Sequence, residues 1–418
     1  MTQNRDYRVV IVGAGVAGLA CSRVLAEHGI NHAVMEKTAR PGGRIKTDFL
    51  DGFQLDHGFQ VLQTGYPGIK DHLNLNALML SPFPSGVRVR YDDRFHVVAD
   101  PRHHPRNLYS TVASPIGGIG DRLRLLKLAA RLSSQPMEKI FEDSEERTID
   151  FLERQGFSAR FISSFFTPFF AGASLDPTLE ASSRVLKYVI RLFSTGDAAL
   201  PKAGMAAIVD QLAAHLDDAH LQYNHEVVGL EDSGVRLSDG RLVTADKVVL
   251  ALPQPAAERL LNRAETTPSV SETCLYFSAA GQPPFKTPFL LLNGEGRGPI
   301  NNLAFPSQVC PDYAPAGKTL IAAVVLGDED RGNEDLEVLV RSQCREWFGA
   351  AAAHWRFLRS YRIEHALPKQ MPPTASPYEP ATPISEHIFR CGEYGGVPGL
   401  QWAIMSGTLT GRRIVETG

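Results

Sequence analysis

Residues 13–18 read Gly-Ala-Gly-Val-Ala-Gly, which places Gly13, Gly15 and Gly18 at fixed offsets between the apolar run Tyr7–Val12 and a helix-like run ending at Gly29. Three glycines in that order let a strand turn tightly into a helix, let the backbone approach a pyrophosphate, and let helix and strand pack closely. The helix N-terminus that follows, opening with Val16 and Ala17, supplies free N–H donors and a positive dipole end. Glu36 closes the next apolar run, where a carboxylate accepts hydrogen bonds from an adenosine ribose and repels a 2′-phosphate. A second glycine pair comes directly after, in the stretch from Glu36 and Lys37 through Arg40, Gly42 and Gly43 to Arg44. Such a pair, flanked by arginines, suits a second backbone segment passing close to a diphosphate, with guanidinium groups adding charge-assisted hydrogen bonds.

These residues need a scaffold. Tyr7–Val12 reads as a buried parallel strand and Val16–Gly29 as a helix with a glycine stop, and "HAVMEK" reads as a second strand, making one βαβ unit. Residues 241–253 read as a strand pair running into Pro253, residues 202–217 as an amphipathic helix, and 225–232 as a strand returning beneath the first βαβ unit. Between these lie a hairpin over 82–100 with its turn at Asp92-Asp93, a helical, aromatic-rich stretch over 119–195, strands over 270–326, and a helix over 334–358. A proline-dense connector at 367–383 leads to a last strand and helix. The nucleotide-type pieces sit at both ends and in the middle, so the domains interleave.

The motifs resemble those of the superfamily of flavin amine oxidases, protoporphyrinogen oxidases and phytoene desaturases. Its E-x-x-x-R-x-G-G-R stretch matches here at every fixed position, from Glu36 to Arg44. "FQLDHGFQVL", with Asp56, His57 and Gly58, resembles the D-x-G element that follows, and "LPKAGMAAIVDQLA" resembles the P-x-G-G-M helix start, with Ala203 in place of a glycine. "CGEYGGVPGLQWAIMSG" resembles the closing G-D and helix motif, with Glu393 in place of the usual aspartate and Trp402 in place of a usual glycine.

The resemblance implies an α/β fold: a Rossmann-like FAD-binding domain interleaved with a mixed-sheet and helical substrate domain. It places FAD-binding segments at 1–66, 202–262 and 385–418, and substrate-domain segments at 67–201 and 263–384. It also implies FAD contacts from Val227 and Val228 to the adenine and from Gly392 and Glu393 to the ribityl–phosphate region. Leu400 and Gln401 would then open a helix toward the flavin pyrimidine.

The activity implied is transfer of a hydride or electron pair from a bulky apolar substrate to the flavin. Two alternatives stay open: an amine oxidase, and a non-enzymatic lipid-binding chaperone on the same scaffold. No side-chain base stands out, because Lys286, the lysine of the segment where amine oxidases keep one, falls in a proline loop. The run Phe157–Phe170 reads either as helix core or as the wall of a substrate cavity, with Phe166 and Phe170 as cavity candidates. Trp402 divides between the same two readings.

Composition narrows the classes. With 43% hydrophobic and 21% charged residues in 418, the chain reads as an ordinary folded protein of two domains, or of one with a large insertion, and its net charge of −3 gives no reason to expect nucleic acid. His103-His104 lies between prolines without further ligand spacing, so no metal is expected. Five scattered cysteines read as reduced thiols of a cytoplasmic protein, and no leader or spanning segment is evident. The helix over 119–141 mixes leucines with Arg122, Arg124, Lys127 and Arg131, and reads as an ordinary substrate-domain helix or as one lying on an anionic membrane.

Overall fold

Tyr7–Val12 is the central strand of a parallel sheet, with its last four residues buried. His32–Glu36 pairs on one side of it and Leu242–Leu250 on the other, both parallel. This is the buried setting that a continuous Val/Ile run predicts. In a computed structural model, residues 6–99, 114–217, 219–264, 268–327, 332–379, 383–393 and 397–417 are described, apart from the side chains of Asn333 and Glu334. His103-His104, Tyr394 and the Gly395-Gly396 pair lie outside them.

The sheet extends by Leu221–Tyr223 beside His32–Glu36 and by Ile388–Arg390 beside Leu242–Leu250. Two expectations are corrected here. Residues 242–250 form one nine-residue strand rather than a pair, because no turn residue interrupts them. Its first residues pair antiparallel with Gly234–Leu237, and its later ones join the parallel sheet. Val227–Glu231 does not return beneath the first βαβ unit; it forms the outer edge of the antiparallel meander. The place beside His32–Glu36 belongs to Leu221–Tyr223, with Tyr223 opposite Glu36.

The helices Val16–Glu27 and Leu400–Glu416 cross closely on this sheet. A Cβ at Gly407 would overlap the carbonyl oxygen of Ala17, and one at Gly411 would lie 2.8 Å from Cβ of Val24, so glycine permits the approach. The helix started by Met205 runs over Ala206–Ala213.

A second, seven-stranded sheet draws on residues 86–99 and 269–368, in the order Arg356–Pro368, Ser269–Ala280, Lys318–Leu326, Ile300–Ala304, Leu290–Asn293, Gly86–Tyr91, Arg94–Ala99. Asp92 and Asp93 carry φ of 51° and 56°, the two positive angles of a type I′ hairpin turn. Asn333–Phe348 covers one face of this sheet through Leu336, Val340, Cys344 and Trp347. That helix stops sooner than expected. Gly349, with φ of +66°, terminates it, and from Arg356 onward the chain is a strand of 13 residues.

Five helices form a lobe: Ile119–Ser134, Met137–Glu142, Thr148–Arg154, Ala159–Ser174 and Ser183–Thr195. Within Ala159–Ser174, residues Ile162–Phe166 make a π-helical turn. Phe157, Phe161 and Phe165 still stack in a row, and the wider turn lets adjacent Phe165 and Phe166 both point inward, at 8% and 0% exposure.

Candidate functional site

At the first loop the backbone itself is the close-packed element. A Cβ on Gly13 would lie 2.7 Å from the carbonyl oxygen of Ala251, and one on Gly18 would overlap the carbonyl oxygen of Gly13. Gly15, the N-cap of Val16–Glu27, has nothing within 4 Å on its Cβ side, so the helix N-terminus is open there. Val16 and Ala17 are buried on the first turn. Glu36, 6% exposed, fastens the loop to the second strand. Ala14 N–H donates to its Oε2 at 3.0 Å, and Thr38 donates to Oε1 through N–H at 2.9 Å and through its hydroxyl at 2.7 Å. Of a carboxylate's roughly four lone pairs, this leaves one on Oε2 for a ribose hydroxyl.

The second glycine loop lies on the first. Gly42 N–H donates to Ala14 O at 2.9 Å, and the Cβ position of Gly43 is 3.5 Å from Gly15 Cα. Arg44 then joins distant segments. Its Nη2 pairs with Glu393 Oε2 at 2.5 Å and its Nη1 donates to Ala366 O. Glu393 Oε1 accepts Gly399 N–H at 2.9 Å, at the start of Leu400–Glu416, and Gly392 N–H donates to Ser406 Oγ at 3.0 Å. The glycine-pair loop, the Gly-Glu segment and the last helix therefore converge at one place. Glu393, the longer acid at that position, reaches both Arg44 and Gly399.

Other expected contacts face elsewhere. Lys37 is exposed. Arg40 donates to Thr47 O at 2.9 Å and pairs with Asp48. Asp48 also accepts from His57 at 3.0 Å and from the Tyr361 hydroxyl at 2.8 Å. Burial opposes ionisation of Asp48, but the hydrogen bonds from Arg40, Tyr361 and His57 outweigh it and bring the carboxyl down to about 2. Burial pushes the His57 imidazole below its ordinary value, partly offset by Asp48. Its ring stacks on Tyr361 with centroids 4.4 Å apart.

Asp56 is a knot beneath the loops, not a group on their surface. Burial raises its carboxyl to about 6, against hydrogen bonds from Thr47 at 2.5 Å, Met205 N–H at 2.9 Å and Tyr313 at 2.9 Å. Thr47 in turn accepts Ala206 N–H at 3.0 Å, so this pair caps the helix that starts there. Val227 packs against the sheet, whereas the Val228 side chain is 51% exposed.

Phe166 and Phe170 are fully buried, and the run Phe157–Phe170 is helix core. Trp402 is 3% exposed, with Phe141, Tyr188 and Tyr378 at ring distances of 5.4, 5.4 and 5.3 Å. It is a core residue, and it also sits one turn from Gly399, whose Cβ position is 3.8 Å from both the Trp402 ring and the Tyr66 hydroxyl. Gln401 accepts from the Tyr188 hydroxyl at 3.4 Å. An aromatic group thus surrounds the start of the last helix. Lys286 is exposed on its loop.

Sequence reasoning passed over Glu272, an acid on the inward face of the strand "SVSETCLYFSAA", touching Gly58. Its signal is a charge at an inward position of an apolar strand. Among the described residues one acidic group has metal-ligand spacing, Asp93, Glu295 and Glu346, and Arg297 already pairs with Asp93 at 2.8 Å and with Glu295 at 2.7 Å.

The two glycine loops, an open helix N-terminus and a carboxylate that can still accept a hydrogen bond make a cradle that fits the diphosphate and adenosine of a dinucleotide. Solved structures agree on the fold: an oxidoreductase from Methanosarcina mazei superposes with a TM-score of 0.71 at 19% identity, over 98% of this chain and 99% of that one. In sequence, protoporphyrinogen oxidase 2 (chloroplastic/mitochondrial) of Arabidopsis thaliana is 28% identical over 172 residues, 41% of this chain and 33% of that protein. Hydroxyneurosporene desaturase of Rubrivivax gelatinosus is 32% identical over 102 residues, 22% of this chain and 18% of that protein. The matches therefore span a third or less of these relatives' own lengths. No helix among the described residues is long and apolar enough to cross a membrane. The flavin containing amine oxidoreductase family matches residues 16–415, nearly the whole chain, so this chain belongs to that family and is an oxidoreductase whose cofactor is FAD.

Proposed function

We propose that this enzyme oxidises a bulky apolar substrate, of the polyene or tetrapyrrole kind named in the desaturase and protoporphyrinogen oxidase relatives. The observation that supports this reading is the aromatic packing at the start of Leu400–Glu416, where Trp402 lies among Tyr188, Tyr378 and Phe141. Buried aromatic surroundings of this kind suit a conjugated or ring substrate better than a charged one.

FAD, when bound, supplies the acceptor for a hydride or electron pair. The chain's residues do the rest. The open N–H groups after Gly15 bind phosphate, Glu36 takes a ribose hydroxyl, and Arg44 with Glu393 fixes the two loops to the last helix. The N-terminus of that helix, at Leu400 and Gln401, favours negative charge developing in front of it. The aromatic side chains exclude water.

We further propose that Ile119–Ser134 rests on an anionic membrane and collects such a substrate. Ile119, Leu123 and Leu126 are 66%, 62% and 48% exposed at helical spacing, with Arg124, Lys127 and Arg131 exposed beside them.

The test is anaerobic bleaching of the holoprotein by a carotenoid precursor, a porphyrinogen and a panel of primary and secondary amines. Reduction by the polyene or the porphyrinogen supports the reading. Reduction by an amine alone would overturn it in favour of an amine oxidase.

A further inference from the structure

The long strand Ser269–Ala280 turns Glu272, Cys274 and Tyr276 to one face and Leu275 and Phe277 to the other. The first face is clamped to the loop at Asp56–Gly58, because the Tyr276 hydroxyl donates to Asp56 O at 3.0 Å and to Gly58 O at 3.2 Å. Four residues along the same face, the carboxyl of Glu272 lies over Gly58. A Cβ there would overlap its Oε1, so the acid occupies room that only glycine leaves. Beside it runs Arg356–Pro368, with Ile363 opposite Glu272 and Ala366 accepting from Arg44. Glu272 thus stands where the Gly58 loop meets the second sheet, beside the strand whose Ala366 accepts from Arg44.

No hydrogen bond or ion pair reaches the Glu272 carboxyl from the described residues; the residue is half-buried, and desolvation by the protein around it pushes the carboxyl up to about 7. The titratable and charged groups around it are otherwise engaged. Asp56 is held by Thr47, Met205 and Tyr313, Tyr276 by the loop carbonyls, and Tyr361 and His57 by Asp48. Arg44 is held by Glu393, and Cys274 is buried with its thiol pushed up. On the other flank the register partner is Leu326.

We propose that Glu272 takes up a proton when the bound FAD is reduced, and so sets the pH dependence of the cofactor's potential. Two electrons and one proton leave the reduced cofactor with one extra negative charge. A carboxylate facing the same loop is destabilised by that charge and binds a second proton from solvent, becoming the neutral acid. The balance is two electrons and two protons, the electrons coming from the substrate in turnover or from dithionite in a titration. The inference rests on bound FAD but uses no substrate, so its failure would leave the substrate reading untouched.

The test is a redox titration of the holoprotein against indicator dyes at a series of pH values from about 7.5 to 9. Each proton taken up with two electrons contributes about 30 mV per pH unit. The wild type is expected to fall more steeply than about 30 mV per pH unit in this range, by up to about 60 mV, and E272Q, which keeps the volume but cannot titrate, by about 30 mV. E272D, which restores a carboxyl, is expected to lie above E272Q. A wild-type slope of about 30 mV per pH unit overturns the proposal without any variant, as does an E272Q slope equal to the wild type's.

Discussion

At the glycine loops the close contacts run backbone to backbone: Gly18 against the carbonyl of Gly13, Gly43 beside Gly15, Gly42 N–H on Ala14 O. In the helical lobe they run ring to ring. Phe161 stacks on Phe165 at 4.9 Å, and Phe166 meets Phe157 edge-on at 4.9 Å. A backbone contact tolerates one residue type, because any Cβ intrudes. A ring contact tolerates many, provided volume and shape are kept. The glycine-loop region is therefore specified residue by residue, and the helical lobe by overall packing.

The largest effect tests the second statement. Phe166 is fully enclosed, so Phe166→Ala is expected to destabilise the protein by about 3–5 kcal/mol, while Phe166→Leu costs far less. Denaturant unfolding of the apoprotein measures both. A loss below about 1 kcal/mol for the alanine variant would mean that the rings line an open cavity, reviving the reading that the packing here disfavours.

A pair of identical changes tests the first statement. Gly18→Ala puts a methyl into the Gly13 carbonyl and is expected to cost about 1–3 kcal/mol of apoprotein stability. Gly15→Ala meets nothing within 4 Å and should leave stability within about 0.5 kcal/mol, yet it crowds the open helix N-terminus and should lower FAD affinity. Thermal unfolding of the apoproteins and FAD titration separate the two. If Gly15→Ala bound FAD as the wild type does, the diphosphate would not approach at that position.

This contrast explains what could be read beforehand. The βαβ unit, the end of its second strand at Glu36 and the Asp92-Asp93 hairpin were all legible, because each rests on glycine, proline or period-two signals. The junction of Arg44 with Glu393 was legible only as two separate motifs, since nothing local tells a guanidinium which of two anions it will meet. Arg40 and His57 show the same limit. Both were expected at the cofactor, and both pair with Asp48, a partner found only in three dimensions. The π-helical turn at Ile162–Phe166 escaped for a related reason: an even apolar spacing fits a regular helix until packing demands that Phe165 and Phe166 both turn inward. Glu272 was overlooked because a strand's inward face becomes known only once its register is fixed.

The smallest expected change in stability falls in the helical lobe, on its surface. Leu123 projects from Ile119–Ser134 at 62% exposure, between exposed Arg124 and Lys127, and packs against nothing that its loss would expose. Leu123→Glu should therefore move the unfolding free energy by no more than about 0.5 kcal/mol. Its effect on a lipid surface is of another order. A leucine inserted into the acyl boundary contributes about 1.5–3 kcal/mol, and a new carboxylate offsets roughly one neighbouring cation's attraction of about 1 kcal/mol. Together these amount to at least tenfold in partitioning. Co-sedimentation with vesicles of phosphatidylcholine, with and without phosphatidylglycerol, reads this directly. The wild type should bind the anionic vesicles, lose binding as salt rises, and bind the neutral ones weakly, whereas Leu123→Glu should stay in the supernatant with its FAD in place. Equal sedimentation of the two proteins, or none by the wild type at low salt, would show that this apolar stripe serves something other than a membrane.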